Sequence, residues 1–251
     1  MHKINEICKD GKSLPLSTEG NLRVVFLGVG SAFTKRNRQS NFLIIQEDHH
    51  VLVDCGTLGS LALDDVGLSV SEVQCYLPTH SHADHIGGFE EVALVNRYLS
   101  NSSNKPKMVI PKDYQDLLWT KSLAGGLEFC EVSQGQPLEL TDFFEILCPR
   151  QMELLGKKVW SYKHGPMELI LMRSLHIPDS AISIDDAQWC TGVLVNRRVW
   201  ISGDTMFDKE YPNQFSRVSE VMFHDCQMFQ GGVHASYHEL MTLPNEIRSK
   251  I

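Results

Sequence analysis

No stretch of this 251-residue chain approaches the length of apolar sequence that a membrane-spanning helix needs, about 20 residues. Cysteine occurs at 8, 55, 75, 130, 148, 190 and 226, an odd number, and never as Cys-x-x-Cys. A disulfide framework is therefore a poor reading, and a reducing compartment is the better one. Positive charge is in deficit, with 23 Lys and Arg against 31 Asp and Glu and a net charge of −8. That argues against the broad phosphate-tracking surface of nucleic-acid binders, although a local basic patch remains open. The opening Met1-His2-Lys3-Ile4-Asn5-Glu6 has no continuous apolar run of the secretory kind, so the expected location is the cytoplasm. Neither repeats nor low-complexity tracts occur, and 42% hydrophobic and 22% charged residues are ordinary for a globular protein. The length suits one large α/β domain over 1–251, with 1–21 as a polar lead-in.

What is present is histidine in one place. Thr79-His80-Ser81-His82-Ala83-Asp84-His85-Ile86-Gly87-Gly88 follows the apolar run Val73-Gln74-Cys75-Tyr76-Leu77, which reads as a strand. If the chain turns into a helix after Pro78, His80 and His82 can point to one side and Asp84 and His85 to the other. One loop could then hold two ions. Imidazole and carboxylate donors suit Zn²⁺, with Mn²⁺ or Fe²⁺ as alternatives, and the absence of thiolate favours a catalytic over a closed structural site.

This run resembles the His-x-His-x-Asp-His signature of the metallo-β-lactamase superfamily, and the surrounding chain resembles its ribonuclease Z-like phosphodiesterase branch. The likeness starts at Val24-Val25-Phe26-Leu27-Gly28-Val29-Gly30-Ser31-Ala32-Phe33 and continues through Gln39-Ser40-Asn41-Phe42-Leu43 and Val51-Leu52-Val53-Asp54-Cys55-Gly56. It returns at Ser202-Gly203-Asp204-Thr205. It implies an α/β fold, an αββα four-layer sandwich of two mixed β-sheets with outer helices and metals at one edge. It further implies two divalent ions, with His80, His82 and His176 at one, Asp84 and His85 at the other, and Asp204 bridging. Asp84 would also orient the nucleophile, and Asp54 would orient a ligand. Superfamily β-lactamases typically carry Cys where this chain has Asp204, so antibiotic hydrolysis is not expected.

Three further places matter. Thr34-Lys35-Arg36-Asn37-Arg38-Gln39 is a basic loop that the resemblance sets beside the metals, so Lys35, Arg36 or Arg38 could meet a substrate phosphate. Gly28-Val29-Gly30 is not a dinucleotide fingerprint, because Phe33 stands where the third glycine belongs. Val221-Met222-Phe223-His224-Asp225 sits where ribonuclease Z has a strand ending in His-Glu-Ala-Thr, with Asp225 replacing Glu and His224 read as structural support. Val233-His234-Ala235-Ser236 resembles that family's His-Ser-Thr motif, which implies that His234 is the general acid.

Elsewhere the pattern gives helices over 88–99, 114–123 and 243–251, with Gly125-Gly126 breaking the second. Strands are expected over 129–132, 143–147, 159–163 and 168–175, with Lys163-His164-Gly165-Pro166 as a solvated turn. A hairpin is expected around Asn196-Arg197.

Two departures from the resembling enzymes bear on function. The strand that carries their last His ligand would follow Ile251, so either the protein continues or the second site draws on His234 or a partner chain. Only 28 positions separate His176 from Asp204, too few for the basic arm of transfer-RNA processing enzymes. The expected function is thus metal-dependent hydrolysis of a small phosphodiester or nucleotide, with no membrane partner and a homodimer by analogy with ribonuclease Z. The alternatives are a thioesterase or lactone hydrolase, a tRNA 3′-processing endonuclease, and a non-catalytic metal-binding regulatory module.

Overall fold

The computed structural model describes residues 12–100, 104–133 and 135–251. The first eleven residues of the expected lead-in lie outside it. Two compact units emerge, one of residues up to 78 with 82–108 and 123–145, the other of 79–81, 109–122 and 146–251.

The strands β1 (Arg23–Gly28), β2 (Asn41–Gln46), β3 (His49–Val53), β4 (Cys75–Leu77) and β5 (Lys107–Val109) are followed by a two-residue pair, β6 (Val132–Ser133) and β7 (Gln136–Pro137), and then by β8 (Glu145–Leu147). One sheet has the order β1-β2-β3-β4-β5-β8. It is mixed, since β1, β2 and β3 pair antiparallel while β3-β4 and β4-β5 are parallel. Strands buried on both faces read as unbroken apolar runs, and Phe42 to Ile45 and Val51 to Val53 are buried throughout. In the first unit Tyr76 packs edge-on against Phe89, their ring centres 5.6 Å apart.

The second sheet is built from β9 (Arg150–Leu154), β10 (Lys157–His164), β11 (Met167–Arg173), β12 (Thr191–Val195), β13 (Val199–Ile201) and β14 (Val221–Phe223). Its order is β14-β13-β12-β11-β10-β9, antiparallel except for β13-β14. Val159, Ile170, Leu194, Trp200, Phe215 and Met222 form its core cluster. The hairpin at Asn196-Arg197 is as expected, and both residues have positive φ, 51° and 53°, as a type I′ turn requires.

The helices are α1 (Gly59–Asp64), α2 (Ala83–Ile86), α3 (Phe89–Leu94), α4 (Lys112–Leu118), α5 (Ala124–Leu127), α6 (Leu140–Phe143), α7 (Glu210–Phe215), α8 (Tyr237–Leu240) and α9 (Asn245–Arg248). α3 and α4 each run on into a π-helical turn, Val95–Leu99 and Trp119–Leu123.

Several local expectations are corrected. Gly125 and Gly126 do not break a helix but lie within α5. A Cβ at Gly126 would stand 2.2 Å from the Glu90 carboxylate, the movable end of an exposed side chain on α3, so this contact does not by itself require a glycine. Nor is His164 solvated. It pairs with Met167 across a two-residue turn at Gly165-Pro166 and is buried. Residues 129–131 are not strand, and Phe129 is exposed. Phe143 ends α6, whose capping box pairs Glu139 with Asp142, so the following strand starts only at Glu145. Of 243–251 only Asn245–Arg248 is α-helical, entered from Pro244. The edge strand β9 went unread because its residues alternate between exposed and half-buried, with no apolar run.

Candidate metal centre

Each unit holds its own group of candidate residues, and in each the backbone explains why they are where they are. In the first unit β3 is followed directly by Asp54, whose φ of +61° is in the left-handed region that Asp tolerates better than most residues. The turn that follows is welded to α2: Cys55 N–H donates to the His85 carbonyl at 2.8 Å, Thr57 N–H to Ala83 at 3.1 Å, and Gly88 N–H to Cys55 at 2.8 Å. Gly56 makes this approach possible, because a Cβ there would stand 1.8 Å from the Asp84 carbonyl oxygen. His82 is the residue before α2, and Asp84 and His85 lie in its single turn.

The Asp54 Oδ2 atom is 2.6 Å from His85 Nδ1, and both side chains are buried. A carboxylate accepts, so Nδ1 carries the proton and donates, which leaves Nε2 as the nitrogen with the lone pair. That Nε2 lies 3.4 Å from Asp84 Oδ2. Burial pushes the neighbouring Cys55 thiol up to about 12, so it packs as a small apolar group and does not act as a thiolate ligand. In the basic loop, Arg38 Nε donates to Asp65 at 2.7 Å, while Lys35 and Arg36 are exposed.

The second unit brings His80, His176, Asp204, Asp225 and His234 together. His176 stands three residues beyond β11 and Asp204 three beyond β13. The two strand ends are strapped to each other: Ser174 Oγ donates to the Asp204 carbonyl at 2.8 Å, Met206 N–H to Leu175 at 2.6 Å, and Thr205 Oγ1 to Leu175 at 3.2 Å. Gly203, at φ +63°, makes the turn, and a Cβ there would meet the Thr191 carbonyl at 2.5 Å.

The Nδ1 of His176 donates to the Val233 carbonyl at 2.9 Å, and the Nδ1 of His80 lies 3.1 Å from the Thr79 hydroxyl. With Nδ1 engaged, both rings turn Nε2 toward Asp204 Oδ2, at 3.9 Å from His80 and 3.7 Å from His176. These separations are too long for hydrogen bonds. They are close to the roughly 3.4 Å edge that ligands about 2.1 Å from a tetrahedral ion would span. The donor set, two buried imidazoles and a carboxylate, therefore fits a divalent metal.

Sequence reasoning noted Asp225 only as a replacement for Glu and assigned it no role. Its Oδ2 accepts from Thr205 N–H at 3.0 Å and lies 2.7 Å from His234 Nδ1, which must donate. Asp204, Asp225 and His234 each offer a ligand atom within 4.8 Å of the others. The available signal was positional, a carboxylate just past the end of a short apolar strand, like Asp54 and Asp204. His224 places Nδ1 2.7 Å from the Asp225 carbonyl oxygen and packs edge-on against Trp200. Burial lowers its pKa, so it is a neutral packing group beside the site.

The interval from His176 to Asp204 holds a compact loop. Arg173 Nη2 donates to the carbonyls of Ile184, Ala187 and Gln188 at 3.2, 3.0 and 2.9 Å, and its guanidinium lies over the Trp189 ring. Among the described residues no helix is long and apolar enough to cross a membrane.

Comparison with known proteins gives this geometry a lineage. Residues 22–251 match the family described as anti-Pycsar protein Apyc1. A protein of that name from Bacillus phage 010DV004 is 34% identical over 229 residues, covering 90% of this chain and 84% of the relative. Another, from Paenibacillus sp. (strain J14), is 32% identical, covering 92% and 87%. Among solved structures, the metallo-β-lactamase fold protein YhfI from Bacillus subtilis superposes with a TM-score of 0.65 at 14% identity over 91% of this chain and 83% of its own. Human tRNase Z, short form, gives 0.62 at 16% identity over 90% and 88%. Yeast PDE1 gives 0.59 at 13% over 90% and 82%. The chain has the metallo-β-lactamase fold and belongs to the anti-Pycsar protein Apyc1 family.

Proposed function

We propose that the protein is a metal-dependent phosphodiesterase that opens the phosphodiester ring of a cyclic nucleotide. The observation that carries this reading is the convergence of His80 Nε2, His176 Nε2 and Asp204 Oδ2, with the Asp225–His234 pair in the same unit. We assign His80, His82 and His176 to one ion, Asp84 and His85 to a second, and Asp204 to both. His82 belongs with His80, two residues away in the same turn of chain. Nitrogen and oxygen donors favour zinc, with manganese or iron as substitutes. When bound, such ions neutralise charge on a phosphoryl oxygen and acidify water enough for attack at neutral pH.

The remaining chemistry belongs to side chains of the protein. Asp225 holds the Nδ1–H of His234 and its negative charge stabilises the imidazolium, so His234 in that form can deliver its Nε2 proton to the leaving oxygen, a contribution of about 10²–10⁴ in rate. Asp54 holds His85 by the same logic. Asp84 orients the attacking water, and Lys35 and Arg36 are available to a phosphate oxygen. A small substrate suits a net charge of −8 and a short, internally bonded loop between His176 and Asp204. A cyclic nucleotide is the favoured choice because the family bears the name anti-Pycsar and includes proteins of bacteriophages. We place the protein in the cytoplasm on the odd number and scattered spacing of its cysteines.

The test is hydrolysis of 3′,5′-cyclic nucleotides by zinc-loaded protein, beside a thioester and a lactone. Ring opening to the nucleoside monophosphate, lost with chelator and regained with metal, is the expected result. Turnover of the thioester or lactone alone would replace the proposal with a carbonyl hydrolase, and no turnover of any of them would leave a metal-binding module.

A further inference from the structure

Asp225 and His234 are the two ends of one loop. At its base Gln227 N–H donates to the Ala235 carbonyl and Tyr237 N–H to the Gln227 carbonyl, each at 2.8 Å, and Gln227 and Ser236 form a β-bridge. The Gln227 side chain also donates to the Gly231 carbonyl, inside the loop. Gly231 and Gly232 have φ of +83° and +85°, with open space where a Cβ would stand, so the turn and not crowding calls for glycine there. On this clamped loop Met228 and Phe229 are 77% and 68% exposed.

Single exposed apolar side chains need no explanation in general. This pair differs in being anchored on both sides by the proposed proton-delivering couple. Phe229 is two residues from clamped Gln227, so chain geometry keeps it within about 7 Å of that anchor. A cyclic nucleotide joins its phosphodiester to its base through one ribose. A base whose phosphate lies at Asp204 and His234 must therefore leave over a nearby rim. Every base has a π-face, and an exposed aromatic ring held by a short clamped loop is the chemistry that receives one.

We propose that Phe229 is the stacking platform for the substrate's nucleobase, with Met228 extending the apolar surface. The proposal rests on the cyclic-nucleotide reading above and deepens it: the platform takes any base that can stack, so preference among bases comes from stacking strength and not from hydrogen bonds.

The experiment compares wild type, Phe229→Ala, Phe229→Leu and Phe229→Tyr on two substrates. One is a 3′,5′-cyclic nucleotide; the other is the ribose 3′,5′-cyclic phosphate with a methoxy group in place of the base. Phe229→Ala and Phe229→Leu should lower kcat/KM for the nucleotide roughly 5- to 100-fold, mostly through KM. Both should leave the methoxy substrate within about twofold, since the lost binding is to the base alone. Phe229→Tyr should retain most nucleotide activity. Equal losses on both substrates, or an unchanged KM for the nucleotide, would overturn the platform while leaving the phosphodiesterase standing. A wild type that turns over no cyclic nucleotide would remove both.

Discussion

Replacing Asp54 by Asn isolates one charge in the proposed metal centre. Asn adopts the left-handed backbone about as readily as Asp, so the φ of +61° adds no new strain. What changes is the 2.6 Å contact to His85 Nδ1, where a carboxylate becomes a neutral amide oxygen. A hydrogen bond to a charged group contributes about 1.5–3 kcal/mol. Here the side chains are only 5% and 4% exposed, so solvent removes little of it and the upper half of that range applies. A neutral bond in the same place is worth about half as much. The loss is thus about 1–1.5 kcal/mol, or roughly tenfold in metal affinity, at the lower end of what outer partners of metal ligands contribute. Asp54→Ala removes the acceptor and also strains the backbone, so it should lose roughly 100-fold. The assay is competition with a chromophoric chelator, with thermal unfolding on the same preparations to confirm that Asp54→Asn is folded. A folded Asp54→Asn protein that binds metal as tightly as wild type would refute the claim that Asp54 holds His85 for coordination.

Gly56→Ala should destabilise the protein by about 1–3 kcal/mol, read from denaturant midpoints, because its Cβ would stand 1.8 Å from the Asp84 carbonyl and neither backbone can yield cheaply. An unchanged midpoint would mean that the Cys55–Thr57 turn is not locked to α2. Stability should also fall in mild acid through His50, whose pKa is lowered from 6.5 by burial and whose Nε2 lies 3.0 Å from the Gln74 N–H. Since the unfolded chain binds the proton first, this contribution is full above pH 6.5 and declines from there to the lower native pKa. Urea unfolding at pH 7.5 and 5.5 should show a smaller difference in His50→Gln than in wild type, and equal differences would exclude His50 as the source.

What could be read from the sequence was what short-range chemistry dictates. The run from His80 to His85 declares its candidate ligands because they share one turn of chain, and Asn196-Arg197 declares a hairpin because apolar runs flank it on both sides. The likeness to a known superfamily supplied His176 and Asp204, which no local pattern ties together. Asp225 stayed hidden because its role depends on the Ser202–Thr205 turn and on His234, nine residues away and brought back by a loop. His164 misled because Gly165-Pro166 alone makes the turn and the strand runs one residue further than the polar run suggests. Gly125-Gly126 misled because propensity favours a break where the chain forms one helical turn, Ala124–Leu127, regardless.

The central claim is that this His and Asp cluster holds the metal on which phosphodiester cleavage depends. It is tested most directly by counting metal ions per chain, by mass spectrometry on protein purified without added metal, while assaying cyclic-nucleotide hydrolysis on the same sample and on His176→Ala. The account predicts about two ions per chain with activity in wild type, and loss of both metal and activity in the variant. Full hydrolysis by metal-free protein, or by a His176→Ala protein with undiminished metal, would contradict it.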